Sequence, residues 1–121
     1  MAENTVFVVD DDPDVRDSLA ALLRSAGLSP KVFESATAFL AQYRAGDSGC
    51  LVADIRMPDM DGIALQSELA SRKAGLPVIM VTARGDAAFR DRALRAGAVA
   101  LLDKPVADDD LVRAIDTALL H

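Results

Sequence analysis

The chain alternates short runs that are apolar at nearly every position with longer segments whose apolar residues recur at helical spacing. Strands that are apolar on both faces are typical of parallel sheets, because such sheets are covered on both sides. Five repeats of strand and helix therefore predict an α/β fold, in which a five-stranded parallel sheet has helices on both faces. The predicted strands are residues 5–9, 29–33, 50–54, 76–81 and 99–102.

The connections between these elements restrict the order of the strands. Crossovers between parallel strands are right-handed, and the missing N–H of Pro30 in the second run is tolerated best at a sheet edge. We therefore predict the flavodoxin-like (βα)5 arrangement, with strand order 2-1-3-4-5. The sequence has 121 residues, 51% of them hydrophobic, and no low-complexity linker. It is predicted to form one domain over residues 1–121, with no output domain.

Several helix ends can be predicted from capping residues. Asp12 followed by Pro13 is a favourable N-cap and first helical residue. Ser35 is the predicted cap of a second helix that ends near Gly46. Residues 108–110 are three aspartates that favour the start of the last helix by capping and through the helix dipole. The apolar stripe of that helix is Leu111, Ile115, Leu119 and Leu120.

Charge and cysteine content argue against several classes of protein. The formal net charge is -6, with 19 acidic against 13 basic residues, so direct binding to a nucleic-acid backbone is not expected. The sequence has no basic amphipathic run and no apolar run of membrane-spanning length, so no membrane partner is expected. Cys50, the single cysteine, is predicted to be a small buried hydrophobe in a reducing compartment. No signal peptide is recognisable, and the expected location is the cytoplasm.

Five polar residues stand where the predicted strands end. Asp10 and Asp11 follow the first strand, Asp54 ends the third, Thr82 follows the fourth, and Lys104 follows the fifth. Carboxyl ends of parallel strands meet at one edge of a sheet, which is where open α/β sheets bind ligands. Any one of these residues alone fits a solvated loop or a helix cap. Their joint placement at one edge predicts a functional site.

The chemistry of this site follows from the groups it collects. Three carboxylates repel one another and raise one another's pKa, so the cluster requires a cation. Oxygen ligands with open water positions suit Mg²⁺, which usually binds one or two protein carboxylates together with a phosphate. Lys104 adds a positive charge suited to a phosphoryl oxygen, and Thr82 adds a hydroxyl. The set predicts phosphoryl transfer, with a carboxylate as nucleophile.

With these motifs in view, the sequence resembles the CheY-like receiver domain of response regulators in two-component systems. The resemblance covers essentially the whole chain, and the joint order and spacing of its four motifs are highly specific. Further details are most similar to receivers of the FixJ type, which usually precede a helix-turn-helix DNA-binding domain. The four motifs are Val9-Asp10-Asp11, Asp54 through Gly62, Val81-Thr82-Ala83 and Lys104-Pro105; the FixJ-type details are Arg56, Gly85-Asp86 and Ala96-Gly97-Ala98-Val99.

The resemblance implies a role for each matched residue. Asp54 would accept a phosphoryl group from a phosphohistidine on a sensor histidine kinase or phosphotransfer protein. Asp11 and Asp54 would bind Mg²⁺ (or Mn²⁺) directly. The backbone carbonyl of Arg56 would be a further ligand, and Asp10 would act mainly through water. Lys104 would pair with the phosphoryl group.

The resemblance also implies how the signal leaves the site. Thr82, followed by Ala83, would turn toward the phosphoryl group and change the surface formed by the fourth helix, fifth strand and fifth helix. That surface would contact a downstream partner, an effector domain or a second copy of the chain. The protein would then be a phosphoacceptor that takes part in its own phosphorylation and dephosphorylation, rather than an enzyme.

One position departs from the family pattern. Receivers commonly carry Tyr or Phe three residues before the lysine, and this chain has Leu101 there. Leucine offers neither an aromatic ring that can change rotamer nor a hydroxyl, so we expect a switch of modest amplitude. Arg56 and Arg84 flank the predicted pocket; either they tune the lifetime of the phosphoryl group by steering water, or they are solvated arginines.

Three other interpretations remain open on the sequence. An EF-hand Ca²⁺ loop over residues 57–68 would begin at Met57, whose thioether is a poor Ca²⁺ ligand, followed by Pro58. A phosphohydrolase would often carry an acid/base aspartate at the position of Arg56. A binding-only pseudo-receiver is disfavoured because all five site residues are present. The suitable EF-hand offsets are Asp59, Asp61, Gly62 and Glu68.

Overall fold

One five-stranded parallel sheet, in the order β2-β1-β3-β4-β5, organises the chain. The computed structural model describes residues 4–44, 48–55, 57, 60–83, 87–104 and 106–120. The strands are β1 Thr5–Val9, β2 Ser29–Phe33, β3 Cys50–Asp54, β4 Val78–Ala83 and β5 Ala100–Lys104. The helices are α1 Pro13–Ser25, α2 Ala36–Gln42, α3 Gly62–Ser71, α4 Ala87–Arg95 and α5 Asp108–Leu119. The predicted fold class and strand order are confirmed, including the edge position of the strand that contains Pro30.

Two apolar layers, one on each face of the sheet, hold the fold together. The first lies between the sheet and α2, α3 and α4, and the second lies between the sheet and α1 and α5. Alternate residues of each strand point into opposite layers, so Val8 and Val52 enter the second while Leu51 and Met80 enter the first. Each fully buried aliphatic side chain contributes about 1.5–3 kcal/mol relative to exposure. Burial on both faces explains why the three central strands, β1, β3 and β4, are apolar at nearly every position.

Helix starts follow local capping, with one correction. The Asp12 side chain accepts a hydrogen bond from the Asp14 backbone N–H at 2.9 Å, and Pro13 is the first helical residue, as predicted. In α5 the N-cap is Ala107, without a side-chain hydrogen bond, so the three aspartates lie inside the first turn and cap nothing. They favour the start of the helix there through its dipole, and Asp110 also forms an ion pair with Arg113 at 3.7 Å. Leu120 also leaves the predicted stripe, since it is 86% exposed beyond the last helical residue.

Strand boundaries differ from the prediction where side-chain pattern and backbone pairing disagree. β4 begins at Val78, because Pro77 has no N–H to donate, although its carbonyl accepts a hydrogen bond from Leu51 at 2.9 Å. β5 continues through Asp103 and Lys104, which pair in register with the end of β4. Polar side chains concealed this extension in the sequence. α2 ends at Gln42, earlier than predicted, and Gly46 lies outside the described residues.

Cys50 is fully buried at the start of β3, as predicted. Burial raises the pKa of its thiol to about 12, so the thiolate that would react is absent at neutral pH. Among the described residues, no helix combines the length and the apolar character that crossing a membrane requires.

Gly49 provides a test of how closely β1 and β3 approach each other. Its φ is +135°, and a Cβ there would lie 2.3 Å from the carbonyl oxygen of Thr5. Gly49→Ala is expected to lower the free energy of unfolding by about 3 kcal/mol or more, because backbone strain and a backbone clash add. Gly75→Ala is the control, since its φ is +66° and its Cβ would meet nothing within 4 Å. Urea unfolding should show a loss of only about 1–2 kcal/mol for this control.

Candidate functional site

The strand registers bring the predicted polar residues to one edge of the sheet. Val9 pairs with Ala53 and Asp54 pairs with Val81, so the ends of β1, β3 and β4 lie side by side. Ala83 pairs with Lys104, which brings the end of β5 to the same level. The predicted convergence is therefore what the backbone hydrogen bonds produce.

Three carboxylates meet at this edge. Oxygen atoms of Asp10, Asp11 and Asp54 all lie within 4.8 Å of one another. Asp10 is buried, Asp54 is half-buried and Asp11 is exposed, so the cluster opens to solvent on one side. Hard oxygen donors with room for water fit the coordination preferences of Mg²⁺. Among the residues that the structure describes, these are the ones that present such a donor set.

Asp10 is held in place by its own backbone surroundings. Its Oδ1 accepts a hydrogen bond from the Asp12 N–H at 2.9 Å, and its carbonyl accepts one from Arg16 Nη1 at 2.8 Å. Burial raises the pKa of Asp10, the bond from Asp12 lowers it, and the charge of Asp54 raises it further. The net effect is a raised pKa, so ionised Asp10 is destabilised until a cation approaches.

Lys104 forms an ion pair with Asp54 across the cluster. Its Nζ donates to Asp54 Oδ2 at 2.8 Å, with the lysine side chain 40% exposed and the aspartate side chain 11% exposed. Burial alone lowers the pKa of Lys104, but the hydrogen bond and charge of Asp54, with the charges of Asp10 and Asp11, raise it overall. The ammonium is therefore fully charged at neutral pH, beside the carboxylate predicted to react.

Thr82 lies on β4, one residue beyond the partner of Asp54. Its side chain is 1% exposed, and its Oγ1 has no hydrogen-bond partner among the described residues. A buried hydroxyl in that state is costly and requires an explanation such as a ligand or a second rotamer. The neighbouring Ala83 belongs to the same strand and pairs with Lys104 through its backbone.

Gly62 places α3 directly against the end of β3. A Cβ at this position would lie 2.8 Å from Met80 Sδ and 3.0 Å from the carbonyl oxygen of Asp54. Its N–H donates to the Ile55 carbonyl at 2.7 Å. Only a residue without a side chain permits this contact, which supports the backbone that carries Asp54.

Other predicted positions lie at or beyond the border of this site. Leu101 is half-buried and packs against the layer that includes α4, so an aliphatic side chain does fill the position of the usual aromatic. Arg56 and Arg84 lie outside the described residues. The EF-hand interpretation is disfavoured, because Asp61 Oδ1 accepts from the Ala64 N–H at 2.7 Å as the cap of α3, and Glu68 pairs with Arg72.

Two contacts beside the site were not predicted from the sequence. Arg90 on α4 forms an ion pair with Asp103, the residue before Lys104 on β5. On α3, Gln66 is buried and donates from Nε2 to the Ala96 carbonyl at 2.9 Å. A polar residue on an amphipathic helix ordinarily predicts a solvent-facing position, so neither contact has a local sequence signal.

Comparison with known proteins gives a consistent result. Residues 6–116 match the family model described as the response regulator receiver domain. Response regulator protein TmoT of Ectopseudomonas mendocina is 42% identical over 117 residues, which is 97% of this chain and 53% of TmoT. Transcriptional regulatory protein FixJ of Rhizobium meliloti (strain 1021) is 41% identical over 121 residues, which is 100% of this chain and 59% of FixJ.

A solved structure shows the same likeness in three dimensions. The crystal structure of FixJ-N superimposes with a TM-score of 0.91 at 42% identity, covering 100% of this chain and 97% of that one. The chain spans little more than half the length of the two curated relatives. Their remaining segments have no counterpart in these 121 residues.

The raised pKa of Asp10 predicts how the carboxylates affect stability. Asp10→Asn should raise the free energy of unfolding at pH 7, without Mg²⁺, by about 1 kcal/mol. The substitution removes a buried charge, and the new amide oxygen can still accept from the Asp12 N–H. Urea unfolding measures the change, with the exposed Asp17→Asn as control.

The pH dependence should have a definite sign. A carboxyl group whose pKa is raised by folding contributes stability below its ordinary pKa, and this contribution is lost as pH rises through the raised value. The advantage of Asp10→Asn over the wild type should therefore grow as pH rises from below the ordinary aspartate range. An advantage that shrinks with rising pH would contradict the assignment.

Proposed function

The chain belongs to the response regulator receiver domain family. On that premise we propose that Asp54 is the residue that accepts the phosphoryl group. Receivers are the phosphoacceptors of two-component signalling and are not a family of classical enzymes. Asp54 lies beside two further carboxylates and accepts a hydrogen bond from Lys104 at 2.8 Å. This pairing of one carboxylate with a charged ammonium in an acidic cluster is the observation that carries the proposal.

The reaction we propose is an in-line displacement at phosphorus. A carboxylate oxygen of Asp54 forms a bond to phosphorus while the nitrogen–phosphorus bond of a partner's phosphohistidine breaks. The product is an acyl phosphate on Asp54 and a free imidazole on the partner. Lys104 neutralises charge on the transferred group. Such electrostatic stabilisation, together with positioning, is the main contribution that a protein makes to a loose transition state.

Receivers bind Mg²⁺ in general, and the carboxylates of this chain have suitable chemistry for it. When bound, the ion would offset negative charge on the phosphoryl oxygens. Asp11 and Asp54 would be direct ligands, and Asp10 would act through water, in keeping with the hydrogen bond that holds its Oδ1 to the Asp12 N–H. The carbonyl of Arg56 is proposed as a further ligand on the family pattern alone.

The output proposed for this site passes through Thr82. Its buried Oγ1 would gain a phosphoryl oxygen as partner, which accounts for a hydroxyl otherwise without one among the described residues. The change would reach the surface of α4, β5 and α5 through Leu101, which packs on the α4 side of the sheet. Leucine permits repacking without a ring flip, so the amplitude would be modest.

Partners are proposed from the surfaces around the site. An apolar groove of about 590 Å³ between α1 and α5 opens beside Asp54 and Lys104, and suits the approach of a histidine kinase or phosphotransfer protein. Leu94 and Val99 are 55% and 56% exposed near α4 and β5, which supports a phosphorylation-dependent homodimer there.

The net charge of -6 argues against direct nucleic-acid binding by this domain. We therefore propose that an effector domain or a separate protein carries the output. FixJ of Rhizobium meliloti is named a transcriptional regulatory protein, and a DNA-binding effector is the form we favour. Action in the cytoplasm, as one domain over residues 1–121, belongs to the same proposal. Arg56 and Arg84 are proposed to tune the phosphoryl lifetime.

Phosphorylation from a small donor tests the acceptor. Acetyl phosphate with Mg²⁺ should add one phosphoryl group to the wild type, and Asp54→Asn should add none, because an amide is not a nucleophile at phosphorus. Intact-protein mass spectrometry gives the count. Asp116→Asn, an exposed aspartate on α5, is the matched control and should be labelled like the wild type. Labelling retained in Asp54→Asn would refute the assignment.

Lys104→Ala tests the proposed charge neutralisation. Loss of the ammonium should slow phosphorylation by acetyl phosphate by about 10²-fold, in the range found for removal of a group that stabilises transition-state charge. The rate of acyl-phosphate formation is measured under Mg²⁺ saturation. Lys31→Ala, on the exposed edge strand, should leave the rate unchanged. Equal rates for both variants would exclude a central role for Lys104.

A further inference from the structure

Gln66 has a buried side-chain amide whose nitrogen and oxygen differ in their hydrogen bonding. It lies on α3, is 7% exposed, and its Nε2 donates to the Ala96 carbonyl at 2.9 Å. Its Oε1 is buried and has no hydrogen-bond partner among the described residues. The contact is close, since a Cβ on Gly97 would lie 3.1 Å from the same Nε2. The residue after α4 is therefore hydrogen-bonded directly to α3.

Stability alone does not explain this amide. A buried polar group with only part of its hydrogen bonds satisfied is less favourable than an apolar side chain of the same shape. The neighbours of Gln66 on α3, Leu65 and Leu69, are apolar and buried, so an apolar residue would suit the surroundings. What the amide adds is a directional bond to one carbonyl.

The carbonyl that receives this bond lies at the C-terminal end of α4. Around it, the Ala96, Gly97 and Ala98 N–H groups donate to carbonyls within α4, and Ala93 is fully buried. The Val99 N–H then donates to the Val78 carbonyl of β4 at 2.9 Å. This end of the helix is joined both to α3 and to the sheet.

Among the described contacts, side-chain packing of Phe89 and the Arg90–Asp103 ion pair hold the N-terminal half of α4. Ala87 is exposed, Phe89 is half-buried at the border of the core, and the Arg90–Asp103 ion pair is more than one-third exposed on both sides. Exposed ion pairs contribute little to stability because water screens them. The two halves of α4 therefore differ in how firmly the described contacts hold them.

We propose that the Gln66 carboxamide is a positioning residue that holds the C-terminal end of α4 against α3, so that displacement of α4 on phosphorylation is confined to its N-terminal half. The statement about displacement on phosphorylation rests on the proposed function, whereas the statement that Gln66 holds α4 against α3 does not. This hold on α4 gives Gln66 a role in the output of the site, although the residue touches neither the carboxylates nor a phosphoryl group.

Gln66→Met tests this role, because methionine retains the length and the unbranched shape of glutamine without its donor. The variant leaves the Ala96 carbonyl without this donor, so it should unfold at an unchanged or slightly lower urea concentration. Amide exchange at Ala96, Gly97 and Ala98 should accelerate by about tenfold, while exchange in α3 and the sheet stays constant. Gln42→Met, at the exposed end of α2, is the matched control. It should change neither measurement.

The activated state supplies the second readout. With Mg²⁺ and BeF₃⁻, a mimic of the phosphoryl group, NMR shifts of the wild type should change over residues 87–92 and stay constant over 93–98. In Gln66→Met the changes should extend through 93–98. Identical shift patterns in the two proteins, or α4 exchange that does not accelerate in the variant, would overturn the proposal.

Two further outcomes separate this proposal from others. If Gln66→Met loses stability and exchange accelerates equally in α3 and the sheet, the amide is only a packing residue and the proposal fails. If the wild type does not bind BeF₃⁻ with Mg²⁺, the proposed function fails instead. The exchange measurement, made without BeF₃⁻, then decides by itself whether Gln66 holds α4.

Discussion

Repulsion among the carboxylates of Asp10, Asp11 and Asp54 acts across less than 4.8 Å at the edge of the sheet. The residues remain together because β1 and β3 pair in register and this part of the sheet is buried on both faces. Lys104 offsets part of the charge. The free energy that the apolar layers contribute thus sustains an acidic cluster that is unfavourable by itself, and a bound cation relieves that cost.

The alternation of apolar strands and amphipathic helices in the sequence was enough to predict most of the fold. Strand order followed from handedness and from Pro30, and the convergence of Asp10, Asp54 and Thr82 followed from the rule that ligands bind at the carboxyl ends of parallel strands. These inferences depend only on backbone topology. They succeed because every central strand is covered on both faces and carries a pattern that helices do not share.

What escaped prediction depends on side chains that meet across elements. β5 extends to Lys104 because of pairing with β4, which its polar residues do not reveal. Arg90 meets Asp103, and Gln66 meets Ala96, 30 residues away. Arg90 and Gln66 each occupy a helix position where a polar residue ordinarily faces water. Only the packing of α3 and α4 on the sheet decides that these side chains turn toward protein instead.

The close contact at Gly62 has a consequence for the interpretation of mutational scans. Any side chain there would press on Met80 and on the carbonyl of Asp54, from distances of 2.8 and 3.0 Å. In a map of tolerated substitutions, Gly62 would therefore be as restricted as a reacting residue, although it contributes no functional group. Intolerance at Asp54 and intolerance at Gly62 would have different origins. At Asp54 it reflects the need for the reacting carboxylate, and at Gly62 it reflects the space required by the backbone that carries Asp54.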